Sequence, residues 1–534
     1  MVKYIVIFLS VIVSAQTPNW VFRYNGPGSE NDNATCLCYG PDSTIYAAGY
    51  CVGIDTFRDA IVASLTLAGD TNWIYRNSSN YDDIMNDIVL GPDNNLYAVG
   101  QTYSNAADGW DMFILPLEPD GSYQWYTYIG GPGYDVAEAV VCGTDSTIYI
   151  AGTLAATQEF TVISLTNGGD FNWIFTYNGP GNGYDDAASI VCGADGNIYA
   201  AGQSGGVATN ADLTVISLTP AGDTNWVYRY NGPANDDDIA SSIICGPDSN
   251  LYVCGLSTSS TQTDLTVISL TPSGQELWVY RYNGPLNTDD GAAAICYDSD
   301  GNLYITGQID LIGTNSDLIV ISLDPLGNER WVYSYDGPGT FWNWGKSIVY
   351  GADGNIYVAG ATSGSSTYMD FTVISLTTAG DTNWLYTYNA LGNSGDFANR
   401  VVYGLDGVIY AAGKSEGSGT YDDFIVISLN PTGIEERKKT GLKQGAGIMV
   451  IPNPFRSRTT LSLQGRGKSG VLNIFDITGR LVKTFDHIAG DGASVVTINW
   501  SGMNNTGRPL PSGIYFAILS TSDATYTARL VLAR

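Results

Sequence analysis

A chain of 534 residues with only 14% charged residues, 64 Gly, 36 Tyr and 12 Trp favours many short strands and turns over long solvated helices. Its net charge of −30 is uneven: residues 16–430 hold nine Lys or Arg against 47 Asp or Glu, and residues 431–534 hold thirteen against six. No basic residue occurs between Arg76 and Arg229, so the large acidic region repels phosphate backbones, which argues against nucleic acid as a partner.

In chain order, residues 1–15 come first. Lys3, an apolar run from Tyr4 to Val13, and the small residues Ser14 and Ala15 read as a signal peptide. No later segment reaches membrane-spanning length, so no transmembrane helix is expected after cleavage.

Residues 16–436 are repetitive. Trp20, Trp73, Trp125, Trp173, Trp226, Trp278, Trp331 and Trp384 recur at intervals of 53, 52, 48, 53, 52, 53 and 53 residues. One unit shows the layout: strands at 238–245, 251–255, 264–270 and 277–283, joined by a turn, a variable loop and a second turn. Four strands in about 50 residues is a propeller blade. Trp278, Tyr280 and Tyr282 alternate, so three rings face one side and fill the gap between blades. The chain enters on a fourth-strand segment, 19–25, and leaves its repeats on a third strand, 423–429. The expected closure pairs the two, giving an eight-bladed β-propeller whose N-terminal strand completes the last blade.

Eight cysteines in an exported chain invite a disulfide reading, with Cys36 and Cys51, or Cys245 and Cys254, flanking hairpin turns. Cys142, Cys192 and Cys245, however, fill one repeat position that Tyr39, Tyr350 and Tyr403 fill elsewhere. A position shared by Cys and Tyr serves packing, and buried free thiols are expected. The recurring Asp-Asp-x-Ala segment, Gly-Asn-x-Tyr turn and Asp-Phe-Val-type strand resemble the bacterial β-propeller repeat called SBBP, over about residues 17–435. That resemblance implies an extracytoplasmic propeller and no particular ligand.

The long, variable loops share one rim, which is the expected functional face. Asp32, Asp83, Asp135, Asp185, Asp238, Asp290 and Asp396 open the first strands there, with Asn343 in the seventh blade. A second set of acids opens the third strands: Asp59, Asp111, Glu159, Asp212, Asp264, Asp317, Asp370 and Asp423. Such oxygen-rich sets suit calcium. The competing reading, that each carboxylate fixes its own loop, is favoured, because one acid per blade at ~10 Å spacing does not converge on an ion. No cofactor is otherwise expected. In the seventh blade Phe341, Trp342, Trp344 and Lys346 replace acid and small residues, forming the candidate ligand patch, with Trp110 of the second blade as a further candidate. The only histidine is His487, so His-based catalysis is unavailable in the large region, and no catalytic residue is assigned.

Residues 437–447 are basic, then Gly-rich, and read as a linker. Residues 448–534 alternate like a small seven-strand β-sandwich. Pro452, Asn453, Pro454 and Phe455, then Gly479 and Arg480, then Gly513 and Tyr515, and finally Arg529, resemble the C-terminal sorting domain of type IX secretion, a module of immunoglobulin-like type. The resemblance implies export through the secretion machinery and attachment at the outer cell surface or release. The expected function is a secreted or cell-surface binding and scaffold module for a protein or polysaccharide. The alternative is an extracellular carbohydrate-active hydrolase or lyase using rim carboxylates.

Overall fold

The computed structural model describes residues 14–105, 109–154, 159–259, 262–310, 316–339, 341–364, 368–390, 395–417, 421–431, 447–451, 455, 458–464, 470–476, 480–488, 496–511, 513–521 and 525–532. They fall into two units, Met1–Glu435 and Glu436–Arg534. Every regular element among the described residues is a strand. Among the described residues no helix is long and apolar enough to cross a membrane. Residues 1–13 of the signal segment and 432–446 around the linker lie outside the described residues. Ser14–Ala15 runs parallel to Trp384 and Leu385.

The first unit contains eight antiparallel sheets among the described residues, here numbered in chain order. Sheets one to seven span 33–77, 83–129, 136–177, 186–230, 238–282, 291–335 and 344–388. Sheet eight joins 397–429 to the N-terminal strand Pro18–Tyr24, which pairs with Asp422–Leu429 in the register Trp20 to Ser428 and Tyr24 to Phe424. Sheet five is representative, with strands Asp238–Cys245, Leu251–Ser259, Gln262–Leu270 and Glu276–Tyr282 in simple up-and-down order. First strands of successive sheets pack side by side, and the first strand of sheet one also packs on that of sheet eight.

A repeated interlock joins the sheets. Each fourth-strand Trp donates its indole N–H to a carbonyl in the last turn of the next sheet: Trp73 to Pro119 (2.9 Å), Trp226 to Pro272 (2.9 Å) and Trp384 to Pro431 (2.9 Å) are examples. Trp20 of sheet eight makes the same bond to Leu67 of sheet one (2.8 Å), so the series returns to its start. The ring lies flat on a glycine of that turn; a Cβ at Gly222, φ +88°, would come within 2.7 Å of Trp173. Only glycine takes both that φ and that approach. Arg23 fixes the N-terminal strand further, donating to Asp423 (2.6 Å), the Ser415 hydroxyl (2.8 Å) and the Ser415 and Glu416 carbonyls.

Side-chain packing explains the Cys and Tyr alternation. At the end of the first strand, Tyr39 stacks on the second-strand Tyr410 of the preceding sheet at 5.9 Å and Tyr403 on Tyr357 at 5.8 Å. Cys142, Cys192 and Cys245 pack into the matching clusters with Tyr97, Tyr149 and Tyr199. All eight cysteines are free thiols. The Gly-Asn-x-Tyr turn also has a cause: the Tyr hydroxyl donates to the turn Asp, as in Tyr199 to Asp195 (2.6 Å).

Sheet two departs from the pattern. Its fourth strand shrinks to Thr127–Ile129, because Pro116 stands where other units place a Ser opposite the Trp, and proline has no N–H for the ladder.

The second unit has a three-stranded sheet, Gly447–Ile451, Thr459–Gln464 and Val496–Trp500, and a four-stranded one, Leu481–Ile488, Gly470–Asp476, Gly513–Thr521 and Thr525–Leu532. Leu461, Leu472, Ile474, Trp500, Tyr515 and Leu530 share its core.

Candidate functional site

The rim acids are latches for their own loops. Asp185 accepts Gly179 N (3.0 Å) and Gly205 N (2.7 Å), tying the loop before its strand to the end of the second strand. Asp396 does the same with Ala390 N and Glu416 N (both 3.0 Å), and Asp32 and Asp290 follow suit. Asp238 accepts Gly232 N, Asp135 accepts Gly131 N (2.8 Å), and Asp83 accepts the Asn77 amide (2.9 Å). Asn343 fills the role in sheet seven with its amide oxygen, accepting Ser363 N at 2.7 Å and Gly337 N at 3.3 Å. All are buried. Burial pushes the Asp32, Asp290 and Asp396 carboxyls up to about 6 despite these bonds. Among the described residues no group of three or more His, Cys, Asp or Glu is placed to hold a metal.

The third-strand acids serve another purpose. Asp212, Asp264 and Asp423 pair with the fourth-strand Arg229, Arg281 and Arg23 at 2.6–2.8 Å, and Asp59 with Arg76 at 3.5 Å.

One position divides seven of the eight sheets into two kinds, sheet eight having Gly395 there. The residue before the rim acid is Asn31, Asp82, Asp237 and Asp289 in sheets one, two, five and six. There its side chain accepts the N–H at the start of the preceding sheet's third strand: Asp422 N to Asn31 (3.1 Å), Arg58 N to Asp82 (2.7 Å), Ala211 N to Asp237 (3.2 Å) and Thr263 N to Asp289 (3.0 Å). In sheets three, four and seven the same position holds Tyr134, Tyr184 and Trp342, which are 49, 46 and 52% exposed. An aromatic ring cannot make that side-chain clamp, so each of these positions presents a ring to solvent, and at Tyr134 the backbone pairs with Trp110 instead.

Around Trp342 the candidate patch divides. Phe341 is exposed, with its ring 4.5 Å from that of Tyr368. Trp344 instead lies half-buried on the first strand, stacked on Phe397 of sheet eight at 5.7 Å. Lys414 sits 4.8 Å above the same Phe397 ring and pairs with Asp422. Lys346 is exposed on the first strand. Trp110 packs between Tyr103 (5.6 Å) and Tyr134 (6.0 Å), which brings it to the second group of rim aromatics.

That group borders an acidic pair which sequence reading missed. Glu138 of sheet three is reached by water yet crowded by protein, and burial, then the neighbouring Asp186, raises its carboxyl to about 7. Asp186 accepts the Thr153 hydroxyl at 2.7 Å. The signal lay in the repeat: Glu138 and Asp186 occupy first-strand positions that are small or apolar in most other units.

With this geometry in hand, comparison decides the C-terminal unit. Residues 449–533 match the family described as the secretion system C-terminal sorting domain. The tail is a secretion sorting domain. It marks the chain as one exported by type IX secretion, to the cell surface or the extracellular space. No curated protein matches the chain. Among solved structures it is similar to PorZ, a bacterial surface component of the type IX secretion system of Porphyromonas gingivalis, with 14% identity, a TM-score of 0.41, and 93% of this chain and 74% of that one covered. It is also similar to the β-propeller domain of the trilobed protease from Pyrococcus furiosus (10% identity, TM-score 0.35, 70% and 94% covered). A third is the polysaccharide lyase Uly1 (12% identity, TM-score 0.39, 79% and 100% covered). Identities and TM-scores this low say nothing about activity.

Within the sorting domain, Phe455 is buried 5.6 Å from Trp500 and bridges to Leu532. Tyr515 packs on Trp500 at 5.5 Å and donates to Pro511 O at 2.8 Å. Arg480 and Gly513 are exposed, and Arg529 pairs with Phe516 across the last hairpin. Pro452, Asn453, Pro454 and Gly479 lie outside the described residues.

Proposed function

We propose that the chain is a secreted or cell-surface eight-bladed β-propeller of SBBP-like repeats that binds a polysaccharide or protein on its variable rim. In this reading residues 1–15 are a signal peptide, 16–436 the propeller, 437–447 a linker, and 448–534 the module that engages the type IX machinery. The observation that carries the binding role is Trp342: it replaces a structural clamp with a half-exposed ring beside the exposed Phe341. Exposed rings beside polar and charged groups stack sugar faces or anchor partner side chains. The test is a glycan and protein array probed with the full chain and with the Trp342→Ala variant. Loss of a captured ligand in the variant supports the site; undiminished capture overturns it.

A second reading has its own observation. Glu138, with its carboxyl raised to about 7 beside Asp186, suits a general acid in an extracellular hydrolase or lyase. Release of reducing ends from a polysaccharide panel, lost in Glu138→Gln, is its expected outcome. No release from any member rules it out.

A further inference from the structure

A cavity of about 400 Å³ opens on the rim between sheets four and five, away from the Trp342 patch. Its walls are backbone as much as side chain. The loops carrying Gly183 and Gly205 approach so closely that a Cβ on Gly205 would lie 2.7 Å from Gly183 Cα. Tyr184, one of the three rings that displace the clamp, forms one side. Gln203, Asn210 and Asp237 supply amide and carboxylate groups.

The charge pattern restricts the occupant. No Lys or Arg is among the lining residues. Arg229 is committed to Asp212 (2.7 Å) and to the Ser204 and Gly205 carbonyls (3.3 and 3.2 Å). Asp237 lines the cavity and Asp236 accepts from the lining Asn210 amide, so phosphate, sulfate and uronate groups are repelled. One Tyr ring does not make the several-sided aromatic enclosure that an organic cation favours. A ring to stack on and two amides that both donate and accept, that of Asn210 also donating to Asp236 (2.5 Å), suit a compact polyol.

We propose that this cavity binds an uncharged sugar unit of a glycan, with Tyr184 stacking on the ring face and Gln203 and Asn210 bonding its hydroxyls. The site is separate from the Trp342 patch and stands or falls independently of it.

The experiment is isothermal titration of the full chain with cellohexaose, xylohexaose, mannohexaose and laminarihexaose as neutral probes, and with pentagalacturonate and choline as charged ones. At least one neutral probe is expected to bind, weakened about tenfold by Tyr184→Ala and severalfold by Gln203→Ala, and unaffected by Trp342→Ala. Both sheet-four variants are expected to keep the parent thermal midpoint, because Tyr184 is half-exposed and Gln203 lies at the cavity. Failure of every neutral probe overturns the proposal. So does neutral binding indifferent to both variants, or a preference for choline or pentagalacturonate that Tyr184→Ala abolishes.

Discussion

Replacing Trp20 by alanine removes the interlock through which the N-terminal strand, already paired into sheet eight, grips sheet one. The ring is partly buried, lies against Gly69 and stands 5.9 Å from Tyr410. A fully buried Trp-to-Ala change costs ~3–5 kcal/mol, so a half-buried one costs about 2 kcal/mol. Loss of the 2.8 Å bond to Leu67 adds about 1 kcal/mol, for a total near ~3 kcal/mol. With a urea slope of ~3 kcal/mol/M, the unfolding midpoint should fall by about 1 M. Far-UV circular dichroism is the appropriate reading, because the many tryptophans confuse fluorescence. Trp278→Ala is the control: it breaks the same contact between sheets that the chain joins covalently. If the sheets close on themselves, the two variants lose the same stability and Trp20→Phe loses only the hydrogen-bond part. A Trp20→Ala midpoint equal to the parent's, with Trp278→Ala lowered by about 1 M, would refute the closure.

The buried rim acids make stability depend on pH. Asp32, Asp290 and Asp396 have folded values near 6, above the unfolded value near 4, so the folded state binds more protons between the two. Their contribution is fully present below about pH 4 and is lost as pH rises through about 6, so the urea midpoint should fall between pH 4.5 and 7.5. Asp290→Asn should fold normally and flatten that slope, because Asn343 already does the same work without charge. Gly222→Ala should cost ~2–4 kcal/mol, seen in the thermal midpoint, since its Cβ meets Trp173 and its φ is +88°. Buried Cys36 and Cys254, with thiols pushed well up by burial, should resist iodoacetamide at pH 8 in the native protein and react fully in urea, read by peptide mass spectrometry.

Much of the architecture was legible because the same local pattern recurs. The Trp spacing, the Gly-Asn-x-Tyr turn and a chain entering on a fourth-strand segment together implied four-stranded sheets and a pairing of Trp20 with the strand ending at Leu429. What escaped were bonds between distant positions. The carbonyl that each indole seeks lies 42–47 residues away in another sheet's turn, and the clamp made by Asp82 or Asp237 reaches 24–26 residues back. Trp342 stood out by composition, whereas Tyr134 and Tyr184 looked ordinary in a chain of 36 tyrosines. Only the lost clamp makes them equivalent to Trp342. Trp344, which composition grouped with Trp342, turns inward to Phe397 because it sits one residue beyond the latch, on the first strand itself. Pro116 carried a readable warning about sheet two, since a residue without an N–H interrupts the ladder it faces.

The binding role of the rim turns on Trp342. Fluorine NMR of 5-fluorotryptophan-labelled full chain, with the Trp342 signal assigned from Trp342→Phe, reports on every indole at once. On addition of the strongest array ligand, the Trp342 resonance should shift or broaden while the eight interlock tryptophans and Trp500 stay fixed. An unmoved Trp342 signal, with changes at the interlock rings or at Trp500 instead, would contradict the account.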